Sequence, residues 1–443
     1  MRWCNSAIVL ILTTLLIGLG MMPISLGQPS GRPARTGTRK HLDAQEQPVQ
    51  CCGEPAIRVR VARFQMMTTR PQPAVAVLAV VLATAVVGCT GGSELGTSAA
   101  PASSSATTAT GTVGDRAARS DQLLASMVVA DQPGCSAAAA IDGQVVWEGA
   151  RGLANLDQRT PLTTDTRFDI GSVAKPFTAT AILLLSFDGA LTLQDPVSRY
   201  VPGLPAWGDQ VSIDQLIHHT SGIPDYIQHF TTSGISYDTP TTQQDAIRAI
   251  AGMTDLTATP GETFEYSGSN YVLLAEVAAA ASGTPLPDLL KQRVFDPLGL
   301  DMALQPTLQA PDVATGYWTI NGAPTPLVAR WTQLGDKSIY TTPSELARWA
   351  DNYRTGRLGG PKLLAAVTAN AVPKNSQPNP VRYGAGIDIF PDGVFGHLGG
   401  WGGHNSFMTT SNDHHTTVAA SCNSDNAFDS LTGPKGVLTI WQD

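Results

Sequence analysis

Ser172 and Lys175 stand three positions apart in Asp169-Ile170-Gly171-Ser172-Val173-Ala174-Lys175-Pro176-Phe177, at the mouth of an apolar stretch that reads as a helix running to Gly189. Positions i and i+3 share a helix face, so the ammonium can approach the hydroxyl and exchange a proton with it. A helix N-terminus also offers unpaired backbone N–H groups to a developing oxyanion. Ser-x-x-Lys alone is weak, since ordinary residue frequencies produce it about once or twice in a chain this long. Its bland reading is a serine cap beside a solvated lysine.

The company it keeps is more specific. The segment from Ser172 to Lys175 resembles the serine β-lactamase, penicillin-binding protein and D-alanyl-D-alanine carboxypeptidase superfamily, in particular its class C β-lactamase-like branch. The resemblance continues through Leu191 to Tyr200 (LTLQDPVSRY), His219 to Asp225 (HTSGIPD) and Pro260 to Ser267 (PGETFEYS), and it covers nearly everything from Asp115 onward. It implies that Ser172 is the acyl-accepting nucleophile and Lys175 its neighbouring base. Tyr266 matches the tyrosine of the branch's Tyr-x-Asn element, which helps move protons during acylation and deacylation. A phenol can do so only where cations such as Lys175 favour its ionised form.

The sequence departs from the pattern at Gly268, which stands where Asn is expected, while Asn270 comes two residues late at the start of a helix read as 270–282. The missing amide usually binds the substrate's amide side chain, so its loss bears on specificity more than on acylation. Gly396-His397-Leu398-Gly399-Gly400 resembles the family's Lys-Thr-Gly or His-x-Gly strand. There, Gly399 and Gly400 let a substrate backbone approach, the N–H groups of Gly400 and Ser172 form the oxyanion hole, and His397 donates to a substrate carboxylate or carbonyl.

The implied activity is that of an exported serine hydrolase forming an acyl-enzyme on an amide or ester: a D-Ala-D-Ala peptide, a β-lactam or a carboxylic ester. A different class of reading is a catalytically inactive, membrane-tethered binder of cell-wall peptides, for which Gly268 is the support. Histidines at 218, 219, 404, 414 and 415 tempt a metal reading, but adjacent residues do not converge and no His-Glu-x-x-His or Cys-x-x-Cys pair occurs, so neither metal nor cofactor is expected. No Gly-x-Ser-x-Gly elbow is present.

These residues need a scaffold. A helix is predicted from Asp115, as N-cap, with Leu123, Leu124, Met127 and Val128 on one face. Strands 135–141 and 144–152 follow, joined by the hairpin dipeptide Asp142-Gly143. Near the other end, strands 405–410 and 416–422 flank Ser411 to His414. Between them lie mostly helical signals, such as the capping box Thr342-Pro343-Ser344-Glu345. The expected fold is α/β (α+β) and β-lactamase/transpeptidase-like: an antiparallel sheet built from both termini, flanked by helices, with an inserted mostly helical region.

The apolar run Ala74 to Val87 is short for a bilayer and follows Arg58, Arg60, Arg63 and Arg70, so it reads as a signal-peptide core. Val86-Val87-Gly88-Cys89 resembles a bacterial lipobox, which makes Cys89 the lipidation site and places the protein on the outer face of the cytoplasmic membrane. Residues 66–88 are then the signal peptide, 89–114 a Ser/Thr/Ala/Gly-rich tether and 115–443 the hydrolase domain. Residues 1–65, with another apolar run from Ala7 to Ile24, read as an over-extended start before Met66 or Met67, or as a real membrane segment. Of the 28 basic residues 9 precede Cys89, against only 3 of the 36 acidic ones, so the remainder carries −14 and argues against a nucleic-acid partner. Expected partners are a small-molecule or peptidoglycan-peptide substrate and the membrane through the lipid. Outside the leader and Cys89, only Cys135 and Cys422 remain. In an exported domain they invite pairing, the alternative being two separate buried thiols. The family's sheet implies that they sit on its first and last strands, side by side, with a bridge adding about 4 to 5 kcal/mol at most.

Overall fold

The computed structural model describes residues 111–307, 309–424 and 436–442, and two short strands nearer the N-terminus. The chain divides into two units, Met1–Pro101 and Ala102–Asp443. In the first, the strand Glu46–Val49 pairs antiparallel with Ile57–Arg60. The run 74–87, Cys89 and the tether up to residue 110 lie outside the described residues.

In the second unit, helix α1 (Val113–Met127) opens with Thr112 rather than Asp115 as its cap. The Thr112 hydroxyl accepts from Asp115 N, and the Asp115 carboxylate accepts from Thr112 N at 2.9 Å. Asp115 is therefore the N3 residue of a capping box, and the helix starts three residues earlier than a cap at Asp115 would place it. Leu124 and Val128 are buried on its inner face, with Leu123 and Met127 packed beside them.

Strands β1 (Cys135–Ile141) and β2 (Gln144–Arg151) form the expected hairpin, with φ of 51° at Asp142 and 75° at Gly143. Short strands β3 (Val372–Pro373), β4 (Arg382–Tyr383) and β5 (Asp388–Ile389) precede three long ones, β6 (Phe395–Trp401), β7 (His404–Thr410) and β8 (Thr416–Cys422). They make one eight-stranded antiparallel sheet in the order β3-β4-β5-β6-β7-β8-β1-β2. The first and last long strands of this unit meet where β8 pairs with β1, from Thr416 opposite Ile141 to Cys422 opposite Cys135. A disulfide joins those last two, with Cα atoms 4.0 Å apart. That is somewhat tighter than the roughly 4.4 Å at which bridged pairs usually begin, and well inside the ceiling near 7 Å.

β1 reads Cys-Ser-Ala-Ala-Ala-Ala-Ile and is buried along nearly its whole length, because helices cover both faces. Ala137 and Ala139 join Leu124 and Val128 of α1 and Trp441 of the final helix α5 (Val437–Gln442; its Trp441 indole donates to Ser120 Oγ) in one apolar layer. On the opposite side α4 (Pro343–Ala350) packs on β1 and β8. Small side chains let both layers approach, and strands so covered lose the apolar–polar alternation of a half-exposed sheet. The inserted region is helical as expected: α2 (Lys175–Phe187) packs against α3 (Gly268–Ser282), and Phe177 meets Trp349 of α4 at 4.4 Å. Two local expectations change. α3 begins at Gly268 rather than Asn270. At α4 only half of the capping box forms: Thr342 accepts from Glu345 N, but the Glu345 carboxylate turns away to Asp301 N and Arg348. No helix among the described residues is long and apolar enough to cross a membrane.

Candidate active site

The chain enters the site through Phe168–Asp169, makes a 3₁₀ turn at Gly171–Ala174 and continues as α2. The turn places Ser172 at its second position and Lys175 one turn later, where Lys175 Nζ donates to Ser172 Oγ at 3.0 Å. The same Nζ donates to the Asp336 carbonyl oxygen at 3.0 Å, and it lies 4.9 Å from the centre of the Tyr266 ring. Lys175 is buried, and its Nζ is held by two neutral acceptors and an aromatic face, with no ion pair among the described residues.

β6 lies directly against this turn. A methyl group built on Gly399 would fall 2.1 Å from the Ile170 carbonyl oxygen and 2.9 Å from Ser172 N, so the two backbones touch with nothing between them. Ser172, Lys175, Tyr266, Gly268 and Gly400 line one small cavity with Asp225, Ile227, Asp336, Lys337 and Trp401, whereas Gly399 and His397 stand outside its lining.

Tyr266 is 43% exposed, its ring stacked on buried His219 at 4.3 Å between centroids. His219 Nδ1 accepts from Ser267 N and from the Asn270 amide, leaving the proton on Nε2, which has no partner among the described residues. Burial, with Lys175 nearby, holds this imidazole well below its usual range, so it stays neutral. Asn270 is thereby accounted for: its amide donates to His219 and its carbonyl accepts from Ser221 Oγ at 2.6 Å, all away from the cavity. Asn270 braces the His219 turn and does not replace the missing amide at Gly268.

His397 stands differently from the donor expected. It is buried, its Nδ1 donates to the Leu398 carbonyl oxygen at 2.6 Å, and its Nε2 accepts from the Tyr383 hydroxyl at 3.2 Å. Both nitrogens are engaged within the protein, and burial, together with the Lys175 charge, lowers its pKa to about 3. At neutral pH it is an uncharged brace for β4 and β6, and donation to a substrate requires one of these bonds to open.

Sequence reasoning missed the buried charges behind the nucleophile. Asp169 accepts from Gly171 N at 2.9 Å and Ser338 N at 3.2 Å, tying the Ser172 turn to the loop Gly335–Ser338. Burial pushes its carboxyl up to about 7, against the pull of those N–H groups and of Lys337. Lys337 is also buried, bonded to the Tyr226 hydroxyl at 2.5 Å and to Asp336 Oδ1 at 3.3 Å, and burial lowers its pKa. The only signal was Gly335-Asp336-Lys337-Ser338 between Leu334 and Ile339, which any surface turn could carry.

A serine hydroxyl that accepts from a buried lysine, with a glycine strand against its turn, is the arrangement of the serine acyl-transferring class within this α/β architecture. A family model described as Beta-lactamase matches residues 121–436, and the chain belongs to that family. It is 35% identical over 167 residues to penicillin-binding protein 4* of Bacillus subtilis (strain 168), covering 37% of this chain and 36% of that one. It is 28% identical over 278 residues to a D-aminopeptidase of Brucella anthropi, covering 61% and 52%. Thus the matched chain spans between about a third and a half of these curated relatives' length. The D-amino acid amidase from Ochrobactrum anthropi SV3, in complex with L-phenylalanine amide, superposes with a TM-score of 0.62 at 26% identity, over 74% of this chain and 98% of that one.

The contact at Gly399 yields a direct test. Gly399→Ala must push β6 off the Ser172 turn, so kcat on a chromogenic ester should fall by about 10²-fold or more, as when one oxyanion donor is lost. The overpacking should also cost about 1 to 3 kcal/mol in thermal unfolding. Wild-type turnover in this variant would show that the strand does not set the site.

Proposed function

We propose that this protein is an exported serine hydrolase, anchored by a lipid at Cys89, that forms an acyl-enzyme on Ser172 from small amides or esters. The observation that carries the reading is the 3.0 Å bond from Lys175 Nζ to Ser172 Oγ, in a cavity that Tyr266 and Gly400 also line. Ser172 Oγ attacks the carbonyl carbon. Its proton is taken by one member of the Lys175–Tyr266 pair, and the pair delivers it to the departing nitrogen or oxygen as that bond breaks. The N–H groups of Ser172 and Gly400 hold the oxyanion. Water then attacks the acyl carbon, its proton taken by the same pair, and that proton returns to Ser172 Oγ as the acid leaves.

Tyr266 and the His397–Gly399 strand support the class C-like branch, from whose Tyr-x-Asn element Gly268 departs. The relatives named D-aminopeptidase and D-amino acid amidase, and the cell-wall setting that a lipid anchor would give, favour amides of D-amino acids and D-Ala-D-Ala peptides, with β-lactams as further acyl donors. The Cys135–Cys422 bridge agrees with an oxidising compartment.

Offered D-alanine p-nitroanilide, its L-isomer, a short-chain p-nitrophenyl ester and a chromogenic cephalosporin, the protein should turn over the ester and the D-amide, the latter at least about tenfold faster than the L-amide. Failure on all four overturns the hydrolytic reading. Stable acylation without turnover would instead identify the inactive binder of cell-wall peptides. The anchor has its own test: Cys89→Ser should move the protein from membranes to the soluble fraction, and complete retention on membranes would assign anchoring to the leader instead.

A further inference from the structure

The loop Gly335–Ser338 is held more firmly than a connection requires. Thr178 Oγ1 donates to the Gly335 carbonyl oxygen at 2.8 Å, Lys175 Nζ to the Asp336 carbonyl oxygen, and Ser338 N to Asp169. Ser338 is locked at φ +73°, a conformation that an L residue adopts only when its surroundings impose it. These constraints deliver Lys337 to the wall of the Ser172 cavity, beside Trp401, whose ring centre is 4.5 Å from Nζ. Two of the three ammonium protons go to Tyr226 and Asp336. The third has no hydrogen-bond acceptor among the described residues, and the Trp401 ring is the neighbour that shares its charge. A buried ammonium is costly to leave partly unpaired, and this one lines the cavity that Ser172 also lines.

Gly268 lines the same cavity. A methyl group there would fall 3.0 Å from Asp336 Oδ2 and 3.1 Å from the Tyr226 ring, so a side chain at 268 would make the groups that hold Lys337 give by a few tenths of an ångström. Glycine offers no side-chain donor here, and Lys337 is a donor on the same cavity wall.

We propose that Lys337 is a specificity-determining residue that donates to an oxygen on the acyl side of the substrate, an amide carbonyl or a carboxylate, so that the enzyme favours acyl groups carrying such an oxygen. The proposal rests on the reading that Ser172 is acylated. It is tested with p-nitrophenyl esters of butyrate, which has no such oxygen, of N-acetylglycine, which has an amide carbonyl, and of succinate, which has a carboxylate. The variants are Lys337→Met and the double variant Asp336→Asn/Lys337→Met, which leaves no unpaired buried carboxylate if the single variant folds poorly.

The kcat/KM ratio of at least one oxygen-bearing ester to butyrate should fall about tenfold or more in the variants, a loss typical of a charge-assisted hydrogen bond. The ester with the larger fall identifies the natural acceptor. A ratio unchanged for both, whether or not absolute rates drop, would falsify the assignment and leave Lys337 a structural residue. If the wild type turns over no ester, the acylation reading fails separately. Calorimetric binding of N-acetylglycine and succinate to wild type and variants then decides Lys337: weaker binding in the variants sustains it, and equal binding overturns it.

Discussion

The site depends on a contact between two stretches of backbone. β6 can lie against the Ile170–Val173 turn only because Gly399 has no side chain, and that contact sets where the N–H groups of Ser172 and Gly400 stand relative to each other. β6 is in turn fixed by β7, β8 and β1, buried between helical layers, with the Cys135–Cys422 bridge fastening the junction of first and last long strands. The strands Cys135–Ile141 and Thr416–Cys422 are far apart in sequence but are neighbours in the sheet that aligns Ser172.

Behind that contact is a set of buried polar groups that would be expensive if separated. Asp169 holds Gly171 and Ser338 together, Lys175 spans Ser172 and the Asp336 carbonyl, and Tyr226 bridges Asp336 and Lys337. In a low-dielectric interior such a network specifies one arrangement, because each broken bond leaves an unsatisfied group. Ser172, Lys175 and the cavity wall are therefore one connected unit rather than three loops brought together by chance.

Much of this was legible in the sequence because it is written in local spacing. Ser172 and Lys175 share a turn by periodicity, Asp142-Gly143 makes its hairpin, and the strands at both ends join in one sheet. What was misread depends on choices the sequence does not display. Thr112 and Asp115 bond each other, and only geometry shows which is the cap. Gly268 starts α3 because Asp225 Oδ2 receives its N–H at 2.6 Å, a contact 43 residues away in sequence. His397 was credited with a free donor, but Tyr383 and Leu398 occupy its nitrogens. Lys337 went unseen because lysine is almost never fully buried, and only the fold reveals the exception.

The most direct measurement is peptide mapping by mass spectrometry after treatment with a fluorophosphonate, in wild type and in Ser172→Ala. The account predicts a single phosphonylated peptide containing Ser172 in the wild type, and no adduct in a variant that melts at the same temperature. An adduct of equal yield in the variant, or one at another serine in the wild type, would contradict it.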